Sequence, residues 1–484
     1  MTGFAMVGVI YDTTNVGYHA RAFQAMSMIL MTSRLILIVQ YGVILLYVRQ
    51  YRNTRIPLLA TMATLLIAAV VFLGTYWGFD VVDGTDPSGE ATTRLAHPDT
   101  YLAWYVVAVL EATSVLAISC TWRVVSFKRT HLVERVGLLT LIMMGEGIIS
   151  ITKSVSQILW NVRTVRGSDI GIIASCVLLI YFIWVLYFDQ IEHDRFGTIR
   201  QQIWAMLHFP LHVAILLTVE GGSALILWSI IKRYLTAWIN VYVDIPDSVN
   251  STAGLVAYLE NAISTIDGWN KQNQLAQFYN YQNNLTSLSA ITAVPYNSTQ
   301  WQDQAEPILT DLLYGVLNAI FEQFAVVGPH LPNHSAYESQ TTRTNALMNV
   351  FGTVFVYFYL AAGCFLIALA VMYWFGKTQK TIGEWLSILL RTIVGAGLAV
   401  LCLFSFTTGT ATTAFIFSSW QIPIVVVCYF IVITLDNLLL WRTNKLVAKR
   451  VSNTQLSIAK TCNPAHNQAN KAPHPDVETL KGSS

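Results

Sequence analysis

Two carboxylates lie inside apolar stretches of the chain, where a buried acid could take up and release protons. Glu146 lies in MMGEGIIS at residues 143–150, and Glu220 lies in TVEGGSA at residues 218–224. An ionisable side chain inside a membrane costs about 2.5–3.5 kcal/mol on insertion scales, and where one occurs it marks a candidate ion or proton pathway. These two carboxylates are therefore the first candidates for function.

Five more ionisable residues also lie in apolar stretches: Arg34, Glu111, Lys153, Arg391 and Asp436. Together with the two carboxylates above they carry three positive and four negative charges, so pairing between helices could neutralise nearly all of them. For each residue, the alternative to a functional role is a structural salt bridge or hydrogen bond between helices.

The helix predicted around Glu146 carries a polar stripe. At 100° per residue, His131, Arg135, Ser150 and Lys153 lie on the same face as Glu146. In a membrane-spanning helix such a stripe must face protein or water, because lipid cannot satisfy polar groups. The stripe is therefore either a packing surface between helices or one wall of a proton or ion pathway.

Two histidines precede the second carboxylate in its apolar stretch. His208 and His212 lie one helical turn apart, but no acid on the same helix completes a zinc site as in HExxH, so no metal is expected. The unperturbed pKa of histidine, near 6.5, makes proton exchange the better active role. No phosphate loop or nucleophile elbow occurs, so the sequence predicts neither an enzyme nor a cofactor.

The composition indicates a polytopic membrane protein. The 484-residue chain is 54% hydrophobic and 12% charged, with a mean hydropathy of +0.51. Nine segments have the roughly 20 apolar residues that a span needs: residues 23–48, 56–77, 101–122, 136–160, 169–188, 204–231, 349–375, 383–406 and 421–440. The expected fold is an all-α transmembrane helical bundle of about nine spans in the lipid bilayer. A net charge of +2, without a basic stripe, does not favour nucleic acid as a partner.

The loop charges predict the orientation, because short cytoplasmic loops carry excess Lys and Arg. Loop 49–55 holds three arginines, whereas loop 78–100 holds five acidic residues and one arginine. The N-terminus is therefore predicted outside and the C-terminus in the cytoplasm. Against this trend, Arg163 and Arg166 would lie outside.

A long polar segment, residues 234–348, separates the sixth and seventh spans and contains four glycosylation sequons, at Asn250, Asn284, Asn297 and Asn333. The sequons predict an extracytoplasmic segment, in the plasma membrane or a secretory-pathway membrane. Two stretches within it have apolar residues at three- and four-residue spacing, which predicts amphipathic helices and hence a small helical cap. Either helix could equally lie along the membrane surface.

The chain thus divides into four predicted parts. Residues 1–233 form an N-terminal transmembrane bundle of six spans, and residues 234–348 form the cap. Residues 349–440 form three C-terminal transmembrane helices. Residues 441–484 are polar and poor in aromatic residues, which predicts a disordered cytoplasmic tail.

The helix with the polar stripe also carries a motif of a His, a Glu-Arg pair, a Gly-Leu pair and a Gly-Glu pair: His131, Glu134, Arg135, Gly137, Leu138, Gly145 and Glu146. This motif resembles the low temperature requirement A family of polytopic membrane proteins, and the resemblance extends over roughly residues 1–235. It implies a multi-pass membrane protein but no mechanism. The family's opening acidic and aromatic motif is absent, so an N-terminally shortened chain is expected, and the sequon-bearing insert suggests a eukaryotic, fungal-like branch.

Two hypotheses of function remain. In the first, the protein is a proton- or ion-coupled transporter or channel that uses the intramembrane carboxylates, with protons or small ions as its partners. In the second, it is a non-transporting membrane scaffold or sensor whose buried charges hold its helices together. No pattern in the sequence indicates an oligomeric state.

Overall fold

A computed structural model describes residues 16–85, 91–95, 97–122, 132–189, 198–271, 275–292, 294–326, 336–376, 380–406, 415–416 and 418–462. Six helices precede the cap: α1 (Val16–Tyr47), α2 (Arg52–Gly78), α3 (Tyr101–Thr121), α4 (Leu132–Asn161), α5 (Gly167–Phe188) and α6 (Thr198–Val243). Four follow in the cap: α7 (Thr252–Asp267), α8 (Leu275–Phe278), α9 (Tyr281–Ser289) and α10 (Thr299–Gln323). The last three are α11 (Ala336–Gly376), α12 (Ile382–Leu401) and α13 (Gln421–Cys462).

The predicted all-α bundle is confirmed, with one small addition. A two-stranded antiparallel hairpin, β1 (Val81–Thr85) and β2 (Ala91–Leu95), lies in the acidic loop between α2 and α3. Short 3-10 turns at Pro98–Thr100 and Cys402–Phe406 precede α3 and follow α12.

Eight helices of the described chain are long and apolar enough to cross a membrane: Phe23–Tyr47, Asn53–Gly78, Tyr101–Thr121, Gly167–Phe188, Ile199–Val243, Thr341–Gly376, Ile382–Phe406 and Gln421–Thr443. The remaining predicted span, residues 136–160, lies in α4, which has 30 residues but is not one of these eight. Helix α4 packs along α6, which is itself long and apolar enough to cross a membrane. Helix α4 therefore lies at the same depth in the membrane as α6.

The helices form a bundle around one central pair, with a second layer of three helices beside it. Helices α6 and α11 pack along each other, and the rings of Trp228 and Phe351 stack between them at 4.4 Å. Helices α4, α5, α12 and α13 surround this pair. Helix α2 packs between α1 and α3 in a second layer, where Trp104 Nε1 donates to Thr75 Oγ1 at 3.0 Å. This layer meets the central pair through α3, where Gln202 Nε2 donates to Ser119 Oγ at 2.6 Å.

The cap rests on the ends of α4 and α6. Asn161 Nδ2, at the end of α4, donates to the carbonyl oxygen of Gln323 at 3.0 Å, and Tyr234 Oη in α6 donates to Asn270 Oδ1 at 2.9 Å. The loop after α4 also contacts the cap, since Arg163 N donates to the Trp269 carbonyl oxygen at 2.9 Å. That loop therefore lies on the same side of the bundle as the cap.

Two helices extend beyond the predicted boundaries. Helix α6 continues through residue 234, the predicted start of the cap, because neither Gly nor Pro interrupts residues 231–243. Helix α13 likewise continues to Cys462. The prediction of disorder from residue 441 is therefore wrong for residues 441–462, which contain no Gly or Pro and many good helix formers. Residues 463–484 lie outside the described residues.

Two glycines bring α11 and α12 into backbone contact. A Cβ atom added at Gly363 would lie 2.3 Å from the carbonyl oxygen of Gly395, and one added at Gly395 would lie 2.7 Å from the carbonyl oxygen of Gly363. Small residues permit such close approach of helices in membranes. The crossing depends on the absence of a side chain at both positions.

Candidate functional site

Polar side chains join α4 to α6 at two levels, the first of which contains His212. Thr140 Oγ1 lies 3.0 Å from the carbonyl oxygen of Val136 and 2.8 Å from His212 Nε2. The hydroxyl has one hydrogen, so it donates to one of these two atoms, and His212 Nε2 donates to the hydroxyl when that hydrogen is on the Val136 bond. His212 is buried.

The neighbouring His208 is the Nδ1–H tautomer. Its Nδ1 lies 2.9 Å from the carbonyl oxygen of Trp204, and its Nε2 lies 3.0 Å from Tyr187 Oη. A carbonyl oxygen only accepts, so Nδ1 carries the hydrogen and Nε2 accepts from the tyrosine hydroxyl. The two histidine rings are 5.7 Å apart between centroids. Both predicted histidines are thus buried, with a hydrogen bond to α4 or α5.

The second level consists of three serines and a carboxylate. Ser150 Oγ donates to Glu220 Oε2 at 2.8 Å and lies 3.0 Å from Ser223 Oγ. Ser223 Oγ donates to the carbonyl oxygen of Ser150 at 2.9 Å, and Ser154 Oγ lies 2.8 Å from Ser223 Oγ. Glu220 therefore ends a short chain of hydroxyl groups that crosses from α4 to α6.

A glycine allows the two helices to approach between these levels. A Cβ atom added at Gly147 would lie 2.3 Å from Val219 Cγ1, whereas one added at Gly145 meets nothing within 4 Å. Both glycines flank Glu146 in the sequence, but Gly147 is the one that packs against α6.

Glu146 lies between the two levels and is half-buried. Along the helix it is about 9 Å from Thr140 and about 6 Å from Ser150, at 1.5 Å per residue. Among the residues that the structure describes, none makes a hydrogen bond or ion pair with its carboxylate. The predicted partners Arg135 and Lys153 are exposed and do not reach it.

The residues of the polar stripe on α4 therefore do not all face α6. Leu138 and Ile142, which lie on the stripe, are 59% and 63% exposed. The buried face of α4 consists of other residues: Gly137, Thr140, Met144, Gly147, Ile151, Ser154 and Ile158. Glu134 is exposed near the start of the helix, and His131 lies outside the described residues.

The other charged residues found in the sequence form two separate pairs. Arg34 Nε in α1 donates to Glu111 Oε2 in α3 at 2.9 Å. Arg391 in α12 donates through Nε to Asp436 Oδ2 in α13 at 2.8 Å and through Nη2 to the same oxygen. Neither pair contacts the α4–α6 interface, so the structure divides the seven intramembrane charges among distinct places.

Two ion pairs of the described residues were not expected from the sequence, Arg233 with Asp169 and Arg343 with Glu322. Arg233 Nη1 donates to Asp169 Oδ2 at 3.0 Å, and the same carboxylate oxygen accepts from the backbone N–H of Arg166. Asp169 lies in the first turn of α5, whereas Arg233 lies about ten residues before the end of α6. Acidic residues in the first turn often cap a helix, so the sequence did indicate that Asp169 would lie at the start of α5. It did not indicate the contact with Arg233.

The four sequons differ in their surroundings. Asn250 and Asn297 are exposed, and each immediately precedes the serine that caps α7 or α10. Asn284 is half-buried, and its Nδ2 donates to Tyr279 Oη at 2.6 Å and to Asp311 Oδ2 at 2.7 Å. Burial and the hydrogen bond to Asp311 raise the pKa of Tyr279, so its hydroxyl stays protonated. Asn333 lies outside the described residues.

We therefore expect glycans on Asn250 and Asn297 but not on Asn284. A glycan replaces a hydrogen on Nδ2, the atom that makes both hydrogen bonds of Asn284. Expression in eukaryotic cells, with and without a glycosidase, measures the number of glycans by electrophoretic mobility. Asn250→Gln and Asn297→Gln should each remove one glycan, seen as one step in mobility, and Asn284→Gln should remove none. A step lost on Asn284→Gln would contradict this expectation.

No group of three His, Cys, Asp or Glu side chains that could hold a metal ion occurs within the described part of the chain. The structure thus adds no metal centre to the hydrogen-bonded groups described above.

Residues 1–240 match the family described as bacterial low temperature requirement A protein (LtrA). This range includes α1 to α5 and nearly all of α6, and therefore both levels of the α4–α6 interface. No curated protein and no solved structure matches the chain.

Proposed function

This chain belongs to the low temperature requirement A family through residues 1–240, and we propose that it is a multi-pass membrane protein that moves protons, or small cations coupled to them, between α4 and α6. In this proposal it catalyses no covalent reaction. One observation carries it: the half-buried Glu146 lies between two groups of buried or half-buried residues that can exchange protons.

The two groups are suited to opposite ends of a proton path. Near the start of α4, the neutral His212 and His208 each have one nitrogen with a hydrogen and one without, so they can relay a proton by changing tautomer. Further along, Ser150 connects to Glu220 through a hydrogen bond. Hydroxyl groups both donate and accept, so the serines can extend the path toward the cap.

Glu146 is the residue that would carry the proton between these groups. A carboxylate without a partner inside a membrane is stabilised by binding a proton or by contact with water. Gly145 leaves space beside it, since a Cβ atom added there would meet nothing within 4 Å, and the axial position of Glu146 places it between Thr140 and Ser150. Alternate protonation and release at Glu146 would therefore connect the two levels.

Replacing Glu146 with Gln tests this role because it keeps the shape of the side chain but removes the titrating group. In proteoliposomes with a pH gradient, we expect Glu146→Gln to lower proton flux to background and Glu220→Gln to lower it strongly. Glu306→Gln, on the exposed surface of α10, is the matched control and should retain full flux. Undiminished flux through Glu146→Gln, or no flux through the unmodified protein under any gradient, would refute the proposal.

The alternative, a scaffold without transport, is favoured by the mutual hydrogen bonds of the interface. The Ser150, Ser154 and Ser223 hydroxyls bond to one another or to Glu220, as expected where polar groups hold helices together. In a scaffold, Glu220→Gln would lower the thermal stability in detergent, and no variant would change proton movement. The two measurements together distinguish the two functions.

We further propose that the cap is extracytoplasmic and the C-terminus cytoplasmic, in the plasma membrane or a membrane of the secretory pathway. The exposed sequons support this orientation. The cap contacts of the loop with Arg163 and Arg166 support it as well, since Arg166 lies 6.0 Å from the Trp269 ring. The guanidinium of Arg166 contacts the cap, whereas Arg163 contacts it only through its backbone N–H.

A further inference from the structure

A cleft of about 370 Å³ opens between α1, α3 and α6. It is separate from the α4–α6 interface and has mainly small and apolar walls, contributed by Ala108, Ala112, Val115, Leu116, Ala205 and Met206. A mainly apolar pocket with a few placed polar groups is the usual form of a small-molecule site. Its volume lies within the range of such sites.

The charged groups of the cleft are those of the Arg34–Glu111 ion pair, and its other polar groups, Ser119 and Gln202, are hydrogen-bonded to each other. The side chains remain 20% and 15% exposed, although both residues lie near the middle of helices of spanning length. The guanidinium is fixed in place by three contacts: Nε donates to Glu111 Oε2, Nη1 donates to Ser33 Oγ at 2.9 Å, and the Phe72 ring lies 5.2 Å from Cζ.

These contacts leave the Nη2 group of Arg34 and one carboxylate oxygen of Glu111 for a ligand. Within the described chain, Arg34 Nη2 and Glu111 Oε1 make no hydrogen bond. The ion pair is monodentate, through Nε alone, so Nη2 can donate to the carboxylate of a ligand. Glu111 Oε1 can accept a hydrogen bond from an ammonium group beside it.

We propose that this cleft binds a small zwitterionic molecule, an amino acid with an aliphatic side chain. Its carboxylate would contact Arg34 Nη2, its ammonium would contact Glu111 Oε1, and its side chain would lie on the apolar wall around Ala112. The pair has no net charge, so a ligand that also has no net charge gains both contacts without leaving an unpaired charge inside the membrane. The proposal does not depend on proton movement through α4 and α6.

Binding to the purified full-length protein tests the proposal with L-leucine and two analogues that each lack one of its charges. Radiolabelled L-leucine should bind saturably, and 4-methylpentanoate and 3-methylbutylamine should compete about tenfold more weakly or worse, since each loses one charge-assisted hydrogen bond. Glu111→Gln should weaken leucine binding by about tenfold or more and reduce its advantage over 4-methylpentanoate.

Ala112→Leu provides a variant that retains the ion pair and fills the apolar wall. It should elute as a single species in size-exclusion chromatography and should not bind leucine. Glu146→Gln should bind leucine like the unmodified protein, whatever its effect on proton flux, and so separates this site from the proton path. The proposal is wrong if leucine does not bind saturably, if either analogue binds as tightly, or if Ala112→Leu binds leucine normally.

Discussion

Asp436→Ala is expected to destabilise the protein by about 3–5 kcal/mol. Asp436 is the partner of Arg391, and the two side chains are only 5% and 3% exposed. Removal of the carboxylate leaves a guanidinium without a counter-charge inside the bundle, and breaking a buried pair costs more than the pair itself contributes. The free energy of unfolding in detergent, from a denaturant titration, measures the effect.

The double variant Arg391→Met with Asp436→Leu is the informative comparison. It replaces both charges with apolar groups, so it should recover most of the stability lost in Asp436→Ala. Asp303→Ala, on the exposed surface of α10, controls for the loss of an aspartate and should change stability by less than about 0.5 kcal/mol. A change of that small size in Asp436→Ala would show that the pair does not hold α12 to α13.

Gly363→Ala is expected to cost about 3 kcal/mol, the upper end for overpacking. The new methyl group would lie 2.3 Å from the carbonyl oxygen of Gly395 and 2.7 Å from the backbone N of Ala399. Backbone atoms cannot rotate away as a side chain can, so α11 and α12 must separate. The midpoint of thermal unfolding in detergent should fall accordingly.

Gly397→Ala serves as the matched control because it adds the same methyl group to α12, where nothing lies within 4 Å. It should be neutral or slightly stabilising, since Ala is a better helix former than Gly. Equal loss of stability in the two variants would mean that the effect does not arise at the helix crossing.

The spans were predictable because a run of about 20 apolar residues is rare outside membrane-spanning helices. The ends of the helices were harder to predict than the spans themselves. The sixth span was predicted to end at residue 231, before Lys232 and Arg233. Helix α6 instead continues to Val243 because the cap covers the helix beyond them. The hairpin at Val81–Thr85 was not predicted, since a short segment in an acidic loop carries little periodicity.

The ionisable candidates were named from the sequence, but three residues of the hydrogen-bonded groups around them were not: Thr140, Tyr187 and Ser154. Angular arithmetic grouped Glu146 with Arg135 and Lys153 on one face of α4, but it cannot show which face a neighbouring helix covers. The structure buries the face with Gly147, since a helix approaches most closely where side chains are small. Long cationic side chains such as Lys153 can extend along a helix to the membrane surface, so their sequence position does not determine what they contact.

Helix α6 has 46 residues and is therefore about 69 Å long, roughly twice the thickness of the hydrocarbon layer. Its far end is attached to the cap, where Trp238 Nε1 donates to the Leu313 carbonyl oxygen at 3.1 Å. Pro210 removes one backbone hydrogen bond near the other end. Helix α6 is therefore a long rigid element that bends most easily at Pro210, between His208 and His212. A tilt of about 5° at Pro210 displaces the far end by about 4 Å, so a force on the cap would act as a torque on the part of α6 that holds the two histidines.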